Sequence, residues 1–200
     1  MKYQFRFSVL MTLITASFLT MSCSGLLSSD KPADKIYWLE PYSASPSKSA
    51  SDDRPGLEIV FTVVPGLDSD LLLTIKSDSE LNHYSGARWP DHLPEFTGSL
   101  LRRSLQQSGL FRGVTDGRSS DIGECELELE LQKFYTRIDQ SDLASSVQMS
   151  LVGQYDCDDM SLNLNLTSAT SVQGQQLVNI VAAHQSGWNK LMKSLLLELE

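Results

Sequence analysis

Residues 124–131 alternate a carboxylate with an apolar residue and never break step. Glu124, Glu126, Glu128 and Glu130 hold one parity; Cys125, Leu127, Leu129 and Leu131 hold the other. A period of two places successive side chains on opposite faces of a strand, so this segment reads as a β-strand with one apolar and one acidic face. Four Glu in eight residues could be taken for a metal site. Strict alternation instead spaces them along a solvated strand face. Val147, Met149, Leu151, Tyr155 and Cys157 repeat the parity, and 139–144 supplies a turn between the two runs.

An antiparallel hairpin of 125–138 with 144–157, centred on Ser141, opposes Leu131 with Leu151, Leu127 with Tyr155 and Cys125 with Cys157. Directly opposed β carbons approach to ~4.5–5.5 Å. A disulfide prefers about 3.5–4.5 Å, which a non-hydrogen-bonded pair provides. The register therefore predicts a Cys125–Cys157 disulfide, with two buried free thiols as the alternative. A bulge at Lys133, Phe134 and Tyr135 would shift the register near the tip and leave the base of the hairpin intact.

The remaining elements follow from period and punctuation. Residues 36–39 are a short β-rich run stopped by Glu40-Pro41, and 43–56 is a Ser-, Pro- and Asp-rich loop. Residues 57–64 are almost continuously apolar, as in a strand buried on both faces. A strand at 71–75 and a short one at 80–84 flank a turn at 77–79. Leu93, Phe96, Leu100, Leu101 and Leu105 recur at helical spacing and predict a helix over 91–107. Pro94 fits its first turn and Gly109 closes it. A strand enters at 110–114, and 115–123 is a polar loop. Leu162, Leu164 and Leu166 continue the alternation in a third strand after Asp158-Asp159. Residues 177–181 read as a last strand after a turn at Gln173-Gly174. Trp188, Leu191, Met192, Leu195 and Leu199 make one stripe of a C-terminal helix, with Ser186 as N-cap. The polar side of that helix holds Lys190 and Lys193 against Glu198 and Glu200, so packing on the sheet is expected rather than lying on a membrane.

Sixteen Lys and Arg face 25 Asp and Glu, a net charge of −9. That argues against nucleic acid, which needs a basic stripe, and against electrostatic docking on anionic lipid. His83, His92 and His184 are scattered, and no CxxC pair or His cluster calls for a metal or another cofactor. No Gly-x-Ser-x-Gly elbow, HExxH or convincing His/carboxylate constellation is present, so the chain does not read as an enzyme. Self-association is compatible with the sequence, which does not decide the oligomeric state.

The first residues carry a different message. Lys2 and Arg6 precede an apolar run over 8–21 that ends in Leu19-Thr20-Met21-Ser22-Cys23-Ser24. About 14 apolar residues are too few to span a membrane, which takes ~20, and the order of charge, apolar core and small residue is that of a cleaved secretory signal. Cys23 after the small Ser22 resembles the lipobox of bacterial lipoproteins, with Thr20 where Leu is usual. That resemblance implies removal of 1–22, lipidation of Cys23, and a tether over 23–34 leading to a domain over 35–200. Stable anchoring would come from the acyl chains, because two or more hold a protein at a bilayer. Ser24, in place of an Asp, implies transfer to the outer membrane in a Gram-negative cell. An oxidising compartment outside the cytoplasm suits a disulfide.

Several further segments, in order, resemble the ABC-type transport auxiliary lipoproteins of the PqiC/YmbA type. Tyr37-Trp38-Leu39-Glu40-Pro41 is similar to that family's Tyr-x-Leu-x-Pro start. Val63-Val64-Pro65-Gly66-Leu67, a segment through 72–74, Tyr84 with Arg88-Trp89, and the terminal helix follow it. The Ser-rich 43–56 departs from the family pattern. The resemblance implies a single α/β domain, a mixed β-sheet with the antiparallel hairpin as one section and helices packed on it. It also implies a role and not a reaction: an auxiliary subunit beside an MCE-domain protein and an inner-membrane permease that move lipids between two membranes. No catalytic residue is carried over.

Arg88-Trp89-Pro90 sets an aromatic and a forked cation beside a rigid turn, a pairing favoured at interfaces. The simpler reading has Trp89 cap the core and Arg88 pair with a carboxylate. Of Tyr37 and Trp38, one belongs to the core and the other is free to meet a partner; Tyr37 is the partner-facing candidate, with Arg88 and Trp89. A lipid carrier would instead need a large apolar cavity, whereas one-sided alternating strands describe an open sheet.

Overall fold

The structure, a computed structural model, describes residues 33–43, 53–117 and 124–200. The expected signal peptide, Cys23, the expected tether up to residue 32, most of the expected Ser-rich loop and part of the expected polar loop at 115–123 lie outside the described residues. The chain from Asp34 to Glu200 forms one compact unit. Its elements in order are β1 (Lys35–Ile36), β2 (Gly56–Val63), a 3-10 turn (Pro65–Leu67), β3 (Leu71–Lys76), β4 (Glu80–Arg88), α1 (Leu93–Ser108), β5 (Gly113–Thr115), β6 (Cys125–Ile138), β7 (Ala144–Cys157), β8 (Met160–Ser171) and α2 (Leu177–Leu199).

β6 is the spine of an eight-stranded mixed sheet. One of its edges pairs antiparallel with β7 along the whole strand, and β7 pairs antiparallel with β8. Its other edge is shared. β2 runs parallel to residues 125–131, and β3 runs parallel to residues 136–138. β5 extends the sheet beyond β2, and β4 then β1 extend it beyond β3. Both the antiparallel hairpin section and the α/β class expected from the sequence are present.

The hairpin register is the one derived above. Leu131 faces Leu151, Leu127 faces Tyr155 and Cys125 faces Cys157, and a bulge between Leu131 and Lys133 shifts the pairing toward the tip. Asp142, in the left-handed region at φ 59°, closes the turn beside Asp139, whose carboxylate accepts from the Ser141 and Leu143 amides.

Both helices lie on the apolar face of the sheet. Leu127, Leu129, Leu131, Val147, Leu151, Trp188, Leu191, Met192 and Leu195 are sealed from solvent there. Removing side chains of this kind from water supplies about 1.5–3 kcal/mol each, the main term holding helix to sheet. The opposite face is open, with Glu126, Glu128, Gln154 and Asp156 exposed. One side is covered and the other wet, which is why alternation dominates the sequence.

Three expectations are corrected. β2 is not buried on both faces: Leu57 and Ile59 point into the core, whereas Thr62 is exposed on the open side. Residues 177–181 are not a strand. They are the first turns of α2, which begins after Gln176 and runs through Ser186. Val178, Ile180 and Val181 favour strands by propensity, but Ile180, His184, Trp188 and Leu191 recur at helical spacing, and burial of that stripe overrides local preference. The strand expected at 80–84 extends to Arg88, because β1 pairs with its far end.

Candidate functional site

Alternation at the end of β4 sends Ala87 and Trp89 inward and Arg88 outward. Trp89 is 2% exposed, stacked on Phe96 at 5.4 Å and edge-on to Phe134 and His184. It is a core residue and not a surface anchor. Its backbone amide donates to the Asp70 carbonyl at 2.7 Å, which fixes the turn into α1. The Arg88 guanidinium donates to both Asp70 oxygens at 2.8 and 2.9 Å and, through Nε, to Asp34. Arg88 thus ties the first residue of the compact unit to the sheet.

The extended segment that follows β1 alternates in the same way. Tyr37 is half-buried and packs on the core, and Leu39 is 1% exposed. Ile36 and Trp38 point out, at 69% and 53% exposure. The outward aromatic is therefore Trp38, where the sequence reading had placed Tyr37. Counting back two from Leu39 puts Tyr37 on the inward side and leaves Trp38 outward. The Arg103 guanidinium sits 5.8 Å from the Trp38 ring centre, a cation–π contact, and Phe96 meets the same ring edge-on with centres 6.0 Å apart.

Residues 34–42 form a strap over three elements. The Tyr37 amide donates to the Arg88 carbonyl in β4, and the Tyr42 amide to Ser104 Oγ in α1. The Glu40 amide donates to Gln185 Oε1 of α2, whose Nε2 returns a bond to the Glu40 carbonyl. Asp34, Asp70 and Arg103 were not singled out from the sequence; only tertiary proximity joins them to Arg88 and Trp38. At the start of α1, His92 Nδ1 lies 3.1 Å from the Asp68 carboxylate, a hydrogen bond that raises the imidazole above its usual range.

Cys125 and Cys157 face each other at the base of the hairpin with Cα atoms 4.2 Å apart, close to the ~4.5 Å of a non-hydrogen-bonded pair, and their sulfurs are bonded. The described surface carries hollows of about 660 and 240 Å³. The larger is an open groove beside β2 and α1, where Phe61 and Pro94 share the lining with Glu58, Glu95, Arg102 and Asp116. Arg102 pairs with Asp116 across it at 3.5 Å. A hollow so charged is a poor host for an acyl chain, which would strip water from carboxylates for no hydrogen bond in return.

The fold defines a class: an open mixed sheet with both helices on one face and an N-terminal strap at its edge. No family model and no curated protein matches the chain. Solved structures share the fold. One is protein XCC0632 from Xanthomonas campestris, described with the family model DUF330; it superposes with a TM-score of 0.67 at 15% identity over 81% of this chain and 92% of its own. Another, an uncharacterized protein, gives 0.64 at 15% identity over 84% of this chain and 100% of its own.

Proposed function

We propose that this chain is a lipid-anchored auxiliary subunit of an ABC-type system that moves lipids between two membranes. It is held through Cys23 at the periplasmic face of the outer membrane, has no catalytic role, and docks on an MCE-domain protein coupled to an inner-membrane permease. The observation that carries the reading is the likeness in fold to a DUF330 protein, DUF330 being the designation of the PqiC/YmbA-like family. The same family is the one the motif order from Cys23 to the terminal helix resembles.

The strap supports an adaptor role. Cys23 and Asp34 are eleven steps apart along the chain, and an extended chain rises at most ~3.3–3.6 Å per residue, so the anchor reaches at most ~40 Å from the domain. Arg88 clamps the point of entry, and bonds to α1 and α2 spread any pull over the whole unit. Ile36 and Trp38, exposed beside Arg103, give an aromatic and cationic contact at that edge. The alternative, a carrier that encloses lipid itself, is disfavoured by the charged lining of the larger hollow.

Two measurements test the proposal. Cys23→Ala should leave the fold intact and move the protein from the membrane to the soluble fraction; full retention with membranes in cells lacking its partners overturns the anchor. Crosslinking in cells followed by capture of this protein should recover an MCE-domain protein or a permease. Recovery of other envelope proteins and neither of these overturns the transport role.

A further inference from the structure

Among the described residues β8 pairs with β7 alone, so one edge of the sheet is a strand of 12 residues with no second neighbour there. The ladder continues through the Val172 amide, which donates to the Ser145 carbonyl. Even-numbered residues therefore turn their backbone groups to β7. The odd ones, Ser161, Asn163, Asn165, Thr167, Ala169 and Ser171, turn theirs outward, with side chains exposed on the open face. Free edges are normally blunted by shortness, charge, proline or a bulge. The far margins of this sheet obey that rule: β1 has two residues and β5 three, and β4 carries Glu80, a glycine at φ 72° and a shift in its pairing with β3. β8 has no charge, no proline and an uninterrupted register, in a chain of net charge −9.

We propose that β8 is the seam of a symmetric dimer, in which two copies pair antiparallel so that one sheet runs through both. The centred register sets Ser161 against Ser171 of the second copy, Asn163 against Ala169 and Asn165 against Thr167. No like charges meet, which leaves this stripe the place where two acidic molecules approach at least cost. The ends of β8 differ in sign. Asp158 and Asp159 are exposed at its start, and Lys190 Nζ bonds Thr170 Oγ1 at 3.1 Å near its finish. Antiparallel pairing brings the acidic turn of each copy to the lysine end of the other, while parallel pairing would stack like on like. Met160, 51% exposed, then faces Val172 of the second copy and gains an apolar neighbour. The seam is isologous, each residue pair occurring twice. It does not depend on the transport role.

The test is the sedimentation mass of the full chain in excess mild detergent across the micromolar range. The unmodified protein should be a dimer. Asn163→Glu with Ala169→Glu opposes two carboxylates twice across the seam and should weaken the dimer by about tenfold or more. Asn163→Glu with Ala169→Lys opposes unlike charges and should restore it. Thr167→Pro removes an outward amide that pairs with no other strand among the described residues, and should give a monomer with an unchanged melting temperature. Should that variant unfold, the charge pairs, both on the solvent face, still decide. A monomeric unmodified protein, an assembly indifferent to the Glu pair, or failure of the Glu/Lys pair to restore the dimer in a folded protein overturns the proposal.

Discussion

The rings of Trp89 and His184 meet edge to face, 5.2 Å between centres, inside the layer between α2 and the sheet. His184 Nδ1 donates to the Ile180 carbonyl one turn back, at 3.0 Å, and Phe134 lies 5.3 Å from the same ring. Burial pushes the imidazole down to about 4, against a small opposing pull from the Ile180 bond. In the unfolded chain it titrates near its ordinary value of ~6.5. Between those values the unfolded state binds the extra proton, so stability is whole above pH ~6.5 and falls as the pH drops toward ~4. The full loss is about 3 kcal/mol. Urea titrations at neutral and mildly acidic pH should show a falling midpoint, and His184→Phe should flatten most of that dependence. An unchanged pH profile in the variant would remove His184 as its source.

Trp89 and Trp38 should behave oppositely. Trp89→Ala empties a buried site among Phe96, Phe134 and His184 and should cost about 3–5 kcal/mol of stability. Trp38→Ala removes an exposed ring and one cation–π contact, about 1 kcal/mol or less. Under the adaptor reading it should also lower partner recovery after crosslinking in cells. Thermal melts of the two variants beside that capture separate the core aromatic from the surface one.

The Cys125–Cys157 bond closes a loop with a sequence separation of 32. By chain entropy such a crosslink stabilises by about 3–4 kcal/mol. Cys125→Ser with Cys157→Ser should lower the denaturation midpoint accordingly. Alkylating the denatured, unreduced protein should label neither residue 125 nor 157. Labelling of both would mean two free thiols, Cys125 buried and Cys157 partly so.

Gly153 sits on β7 where a Cβ would stand 1.9 Å from the Glu128 carbonyl oxygen, a backbone atom with little freedom to yield. Gly153→Ala must push the hairpin strands apart and should destabilise by about 1–3 kcal/mol or more, with the loss visible in a thermal melt. Gly98 differs: a Cβ there would meet the Phe61 ring at 3.2 Å, a side chain at the edge of a groove that has room to swing. Gly98→Ala should cost less than Gly153→Ala.

The hairpin was legible because its determinants are local. Alternation from Glu124 to Leu131 and again from Val147 to Cys157, joined by a short polar turn, leaves one register that turns Cys125, Leu127, Leu129, Leu131, Val147, Met149, Leu151 and Tyr155 into the core. Glu124, Glu126, Glu128 and Glu130 mark a strand face for the same reason. The inward and outward turns of Tyr37, Trp38 and Leu39 were also within reach of a period-two count. The strand expected at 177–181 failed because β-branched residues state a preference of a few tenths of a kcal/mol, while the buried face of α2 carries far more.

Which faces are apolar, where the long strands turn and which cysteines oppose each other follow from local sequence, because period, turn chemistry and charge act over a few residues. That β2 and β3 share one edge of β6, that Trp89 is core while Trp38 is surface, that Arg88 clasps Asp34 and Asp70, and that β8 has one neighbour among the described residues all come from the assembled fold. Those outcomes rest on burial between segments distant in sequence. Which surface covers which is a property of the assembled sheet and not of any one stretch.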